Sequence, residues 1–198
     1  MRAFLAVELP AAVRASLAKV SQTLAAARAD VKWVEEANLH ITIKFLGEIS
    51  DAQRPHIDQL VRSVASRHPS VRLTLAGIGA FPSIRSPRVM WAGMQEGGAQ
   101  VASMAEELEA GLVALGFQSE ERPFAAHVTL GRVRSPKRRA ELANALAHTA
   151  WRADGPVELT HLTLMQSTLT PSGSIYTPLT RVALGGGSSP TPSATPGA

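Results

Sequence analysis

Apolar and polar positions along the chain follow two alternating periods. Phe4, Leu5, Ala6 and Val7 form a continuous apolar run suited to a strand. After Pro10, Val13, Leu17, Val20 and Leu24 recur at helical spacing. A short strand over 31–34 precedes a longer one over 39–46, stopped by Gly47. Ser50 with Gln53 resembles a capping box, and Ile57, Leu60, Val61 and Val64 mark the helix behind it, although Pro55 argues for a later start. Two β-rich runs, 71–81 and 88–94, are separated by residues 82–87. Val101, Met104, Leu108, Leu112 and Leu115 share one face of the next helix, with Gly116 as its stop. A strand over 127–130 and a turn lead to a helix opened by Ser135-Pro136, with Leu142 and Leu146 inward. Strands over 157–169 and 175–184 follow, joined by residues 171–174. Strands outnumber helices, and the connectors suit hairpins as often as crossovers. The pattern predicts an α+β fold with mainly antiparallel sheets.

Composition adds boundaries to this picture. Of the 198 residues, 45% are hydrophobic and 18% charged, which is globular composition in a chain long enough to bury a core. There is no cysteine, which excludes disulfides, thiolate metal sites and a cysteine nucleophile, and fits a reducing compartment. The first apolar run is too short for a signal peptide and meets Glu8 at once. No apolar run approaches the roughly 20 residues that a bilayer requires, so the expectation is a soluble, cytoplasmic protein. A net charge of +4 suits an anionic substrate such as a phosphate or RNA without specifying one. Residues 185–198, rich in Gly, Ser, Pro and Thr, have nothing to bury and are expected to be a disordered tail behind a single domain over 1–184.

Candidate chemistry resides in a short pattern that occurs twice. His40-Ile41-Thr42-Ile43 is repeated as His127-Val128-Thr129-Leu130, each copy on a strand followed by a connector and a helix. The repetition suggests two lobes related by a rough two-fold. Alternation along a strand puts His40 and Thr42 on one face and Ile41 and Ile43 on the other, and likewise for the second copy. If the lobes face each other, two imidazole–hydroxyl pairs converge. In-line attack at phosphorus needs a base on the attacking water and an acid on the opposite oxygen. Imidazole serves in either state near neutral pH, and the threonine hydroxyls can donate to oxygens that gather charge. No metal is required. A single such motif on a strand is commonplace and structural; two matched copies favour function.

The sequence resembles the 2H phosphoesterases, and within them the bacterial and archaeal RNA 2',3'-cyclic phosphodiesterases, also described as 2'-5' RNA ligase-like. The likeness runs from Arg2-Ala3-Phe4 to about Leu184. It includes Trp33, residues 38–48 around the first motif, residues 87–93, residues 123–132 around the second, and 164–167 with Gly173, Tyr176 and Leu179. It implies a bilobal fold with a sheet in each lobe, helices outside and a central groove. It implies hydrolysis of a 2',3'-cyclic phosphate to a 2'-phosphomonoester, with His40 as proton donor to the leaving 3' oxygen and His127 as base on water. It implies phosphate binding by Thr42 and Thr129, no cofactor or metal, and action as a monomer on RNA ends such as tRNA fragments or on small cyclic nucleotides. Some relatives join RNA ends in reverse, through a 2'-5' linkage without ATP. Two positions depart from the family's habit: Ala126 where proline is common, and Gly131 where alanine is.

Around the motifs, Arg132 could anchor a phosphate, but its parity with Val128 and Leu130 equally suits an ion pair beneath the site. Phe124 could stack on a base or pack in the core. Trp33 and Trp91 suit the wall or core. Arg132, Arg134, Lys137, Arg138 and Arg139 could track an RNA backbone, or the last three could be a solvated helix start. His56, His68, His148 and His161 read as surface or structural. Gly77-Ile78-Gly79 lacks the rest of a nucleotide-binding fingerprint. The rival readings are a metal-dependent hydrolase, disfavoured because no carboxylate–histidine cluster accompanies the two histidines, and a non-catalytic RNA-binding module built on the basic residues.

Overall fold

In the computed structural model, residues 1–171 and 173–186 are described, and β1 (Arg2–Glu8) is an interior strand of their sheet. Its composition explains the position, because a strand covered on both faces must be apolar on both. Ala3, Leu5 and Val7 join the main core, while Phe4 and Ala6 join a smaller cluster with Met165 on the opposite face. β1 pairs on one side with β3 (His40–Glu48), preceded by the short β2 (Val31–Trp33), and on the other with β8 (His161–Thr170). β8 in turn pairs with β9 (Gly173–Ala183).

The second half of the sheet holds β4 (Val71–Ser83), β5 (Ser86–Glu96), β6 (Val128–Val133) and β7 (Val157–Leu159). The pairing order is β7–β4–β5–β6–β3–β1–β8–β9, with β2 added against β6 and every pair antiparallel. The two expected sheets are therefore continuous, and they meet at one pair of residues, Ile41 and Val128. The strand expected over 157–169 is two strands. Only Thr160 separates β7 from β8, yet they lie near opposite ends of the pairing order. Neighbouring Cα atoms are about 3.8 Å apart, so this single-residue link forces the sheet to curl.

Among the described residues, four helices cover one face: α1 (Ala11–Ala25), α2 (Arg54–Arg67), α3 (Gly98–Ala114) and α4 (Arg139–His148). They bury the residues their spacing predicts, including Leu17, Val20 and Leu24, Ile57, Val61 and Val64, Val101, Met104, Leu108 and Leu112, and Leu142 and Leu146. α1 packs on α4 and β6, and α2 on α3, β8 and β9. The capping box forms reciprocally: Ser50 N–H donates to Gln53 Oε1 at 2.9 Å, and Gln53 N–H to Ser50 Oγ at 3.2 Å. It closes a turn ahead of α2, and Pro55 falls in the first helical turn, where no N–H is needed. α4 begins at Arg139 rather than at Ser135-Pro136, because Arg138 adopts a left-handed conformation with φ 53°. The separator expected over 82–87 shrinks to a two-residue turn at Ile84 and Arg85. Leu184–Gly186 closes as a short 3-10 turn against α2, and the rest of the expected tail, 187–198, lies outside the described residues. Among the described residues no helix is long and apolar enough to cross a membrane.

Candidate active site

The pair that joins the two half-sheets is the second residue of each motif. Ile41 and Val128 are fully buried on the helix side. Extending their antiparallel register by one residue sets His40 opposite Thr129 and Thr42 opposite His127, all on the face away from the helices. Opposite residues in such a ladder have Cβ atoms about 4.5–5.5 Å apart, and diagonal ones about 7–8 Å. The two histidines occupy a diagonal.

Both imidazoles are held in the same way. His40 Nδ1–H donates to the Asn38 carbonyl at 2.7 Å, and His127 Nδ1–H to the Ala125 carbonyl at 2.7 Å. A carbonyl only accepts, so in each ring the other nitrogen, Nε2, is left free for chemistry. In His40 it accepts from the Thr42 hydroxyl at 2.8 Å. Burial pushes the His40 pKa below its ordinary value, opposed by the bond to Asn38. His40 is thus neutral in the ligand-free protein at neutral pH. Asn38 contributes a second tie, its Nδ2–H donating to the Ser174 carbonyl on β9 at 2.8 Å.

Aromatic rings flank both histidines. His40 lies against Phe4 at 4.9 Å and meets Tyr176 edge-on at 5.4 Å. His127 meets Phe81 edge-on at 5.3 Å, and Phe81 leans on Trp91. Trp91 pairs with Thr129, and its indole lies over Gly79, where a Cβ would come within 2.3 Å of the ring. Beyond Tyr176 the face deepens into a cleft of about 480 Å³ between the β8–β9 hairpin and the β2–β6 edge.

Two matches to one known family fall on the two halves. The family described as LigT like Phosphoesterase matches residues 7–91 and again residues 93–176. The chain belongs to the LigT-like phosphoesterases. His40 and His127 fall at equivalent depths, 33 and 34 residues into their matches. The chain is 34% identical to the RNA 2',3'-cyclic phosphodiesterase of Methanothermobacter thermautotrophicus over 89% of its length and 95% of the relative's. It is 33% identical to the Thermus thermophilus protein of the same name, covering 94% and 91% of the two chains. Among solved structures, one from Thermus thermophilus superposes with TM-score 0.79 at 30% identity, over 94% of this chain and 100% of the other. Escherichia coli LigT complexed with 3'-AMP superposes with TM-score 0.73 at 29% identity, over 92% and 97%. The protein is an enzyme of this family.

Within that family fold, the remaining candidates separate clearly. Arg132 does not follow the parity of Val128 and Leu130. A register shift between Met90 and Trp91 sets an extra residue in β6, so Arg132 pairs with Val89, on the face of Trp91 and Thr129. It lines the cleft and makes no ion pair among the described residues. Arg134 lines it too, its Nε 3.3 Å from Asp30, while Arg138 pairs with Glu141 at 3.2 Å near the start of α4. Phe124 and Trp33 are half-buried against the main core, and Trp33 covers the buried backbone at Gly131, where a Cβ would come within 2.9 Å of the indole. His56, His68, His148 and His161 bond to local carbonyls, to Glu107 or to Thr160. Asn38, Phe81 and Tyr176 enter the site without having been singled out as contacts of the histidines. Asn38 and Tyr176 carried a signal as parts of the resemblance, and Phe81 carried none. Among the described residues no three His, Asp or Glu side chains converge as a metal site.

Proposed function

We propose that this enzyme hydrolyses the 2',3'-cyclic phosphate of an RNA end to a 2'-phosphomonoester, with His40 and His127 as the acid–base pair. The observation that carries the reading is the shared register of the two motif strands through Ile41 and Val128, which brings both imidazole–threonine pairs onto one face. The names of the relatives support the substrate, and the Escherichia coli neighbour was solved with 3'-AMP and with phosphate. A chain without cysteine suits work in the cytoplasm.

In the proposed step, His127 Nε2 takes a proton from water as its oxygen bonds to phosphorus. The bond from phosphorus to O3' breaks in line, and His40 Nε2–H gives that oxygen a proton. His40 begins neutral because it is buried, so the bound phosphate anion supplies the charge that lets the ring take a proton. Protonation also frees the Thr42 hydroxyl, which can no longer donate to Nε2 and turns to a non-bridging oxygen. Thr129 does the same from the other strand. With a 5'-hydroxyl in place of water as the attacking group, the same pair would form a 2'-5' linkage as the bond from phosphorus to O3' breaks, and the reverse step would cleave that linkage.

The test incubates the protein in EDTA with an RNA ending in 2',3'-cyclic phosphate and locates the product's phosphate. A 2'-phosphate is expected, at an undiminished rate. A 3'-phosphate overturns the leaving group, and loss of rate in EDTA favours metal catalysis. His40→Ala and His127→Ala should each lower kcat by at least about 100-fold, the usual scale for a lost acid or base, and Thr42→Ala by less. Retained turnover in both histidine variants would remove the mechanism.

A further inference from the structure

We infer that Asn38 is a positioning residue for His40: its side-chain amide ties the outer half of the β8–β9 hairpin down across the reacting face, which seats Tyr176 on the imidazole. The inference rests on the acid–base reading above and adds a residue that neither motif contains.

The register of the sheet shows why a tie is needed. β8 pairs with β1 as far as Gln166 opposite Ala3, and beyond that pair β8 and β9 continue as a two-stranded ribbon to Thr170 opposite Gly173. A two-stranded ribbon is marginally stable by itself in water. Its tip extends past the Arg2 end of β1, whereas Asn38 precedes His40, the partner of Glu8 at the other end. Yet Asn38 Nδ2–H donates to the Ser174 carbonyl at 2.8 Å. The ribbon therefore bends back over the face that carries the motifs, and this bond holds β9 there.

Asn38 serves the imidazole from both of its halves. Its main-chain carbonyl accepts His40 Nδ1–H at 2.7 Å, while its side chain holds β9 two residues from Tyr176. Ser174 and Tyr176 share a face by strand alternation, and Tyr176 meets His40 edge-on at 5.4 Å and Phe4 edge-on at 4.9 Å. The second histidine has no counterpart: the carbonyl on its Nδ1 belongs to Ala125, whose methyl can make no such bond.

What the tie supplies is cover rather than charge. Glu8 faces His40 from β1, but its carboxylate is engaged by Arg181 of β9 at 2.7 Å and by Thr163 of β8 at 3.4 Å. From β6 the ring faces the neutral Thr129. Glu35 approaches Gly173 of the hairpin, its Oε1 3.5 Å from the position a Cβ would take. Burial is the largest influence on the His40 proton, and Tyr176 is one of the rings that supply it.

The experiment titrates the ring nitrogens of His40 by NMR in the ligand-free full chain and measures kcat and KM for 2',3'-cyclic AMP. Asn38→Ala should raise the His40 pKa towards its ordinary value and lower kcat about tenfold, within the cost of slightly misplacing a catalytic group, with KM little changed. Asn38→Asp keeps the shape but cannot donate to a carbonyl and adds a negative charge, so it should raise the pKa at least as far. Tyr176→Ala should reproduce both effects of Asn38→Ala, and combining the two should add nothing, as for residues acting through one contact. A His40 titration unmoved in Asn38→Ala overturns the role, as do additive effects in the double variant. Equal displacement of the His127 resonances also overturns it, since that would mean a general loosening. Absence of turnover in the wild type overturns the acid–base reading and this role with it, whereas an unmoved titration beside intact wild-type turnover overturns this role alone.

Discussion

The neighbours of the His40 imidazole have opposing effects on its proton. Burial beside Phe4 and Tyr176 disfavours the cation, whereas the Asn38 carbonyl on Nδ1 favours it, and burial wins. Binding a phosphate anion should therefore raise the His40 pKa, and an NMR titration of its ring nitrogens with and without inorganic phosphate measures this directly. A pKa indifferent to phosphate would leave His40 without a proton to give near neutral pH. Stability carries the same signature. The unfolded imidazole titrates near 6.5, and the folded one lower. Above 6.5 both states are neutral and the full contribution is present; as pH falls towards the folded pKa, the unfolded state takes the proton first and stability is lost. The histidines and threonines are legible from strand parity alone. Arg132 is not, because a bulge reverses parity within β6, and bulges leave no mark in a hydrophobic pattern. Lys44 shows the same effect: a shift between Leu5 and Ala6 turns it away from His40 and towards the core.

At the scale of elements, the β4–β5 hairpin contributes what the motifs lack. The sequence predicts both of its strands, but not that they bring Phe81 to His127 with Trp91 behind it, because those contacts depend on pairing between distant segments. Gly79 is the position on which the arrangement turns. Its missing Cβ leaves the space in which the Trp91 indole lies, and the ring in turn supports Phe81. Gly79→Ala should force the ring outward, destabilise the fold by about 1–3 kcal/mol as overpacking does, and lower kcat through Phe81 and His127. Trp91→Leu on that background should recover stability but not activity, a departure from additivity that contact predicts. A denaturation midpoint unchanged in Gly79→Ala would show that the ring moves aside freely. The strand expected over 157–169 divides for a related reason: β-favouring residues continue through both β7 and β8, and the pairing partners reveal that Thr160 separates them.

The whole molecule must keep two separately coded halves in register, although β3 and β6 share a single pair. The duplication itself is visible in the sequence, but the tie that reinforces it is not. Lys44, on the first motif's strand, is buried, with its Nζ donating to Glu109 Oε2 at 2.5 Å and to the Gln118 carbonyl at 2.8 Å. Glu109 also accepts the Glu120 N–H at 2.8 Å. One lysine of the first half thus fastens the irregular segment that leads from α3 to His127. Glu109 shows the strain of this position: burial raises its carboxyl pKa, but Lys44 and the Glu120 N–H outweigh that and hold it below the ordinary value. Lys44→Met keeps the apolar stem and removes the tie, leaving Glu109 to be solvated at its partly open edge. The segment around Glu120 and Glu121, both exposed, should then loosen while β3 stays buried. A glutamate-specific protease should cut there faster than in the wild type, and hydrolysis should fall with His127 no longer held opposite Thr42. Equal cutting rates together with full activity would mean that the Ile41–Val128 pair alone sets the spacing of the two histidines.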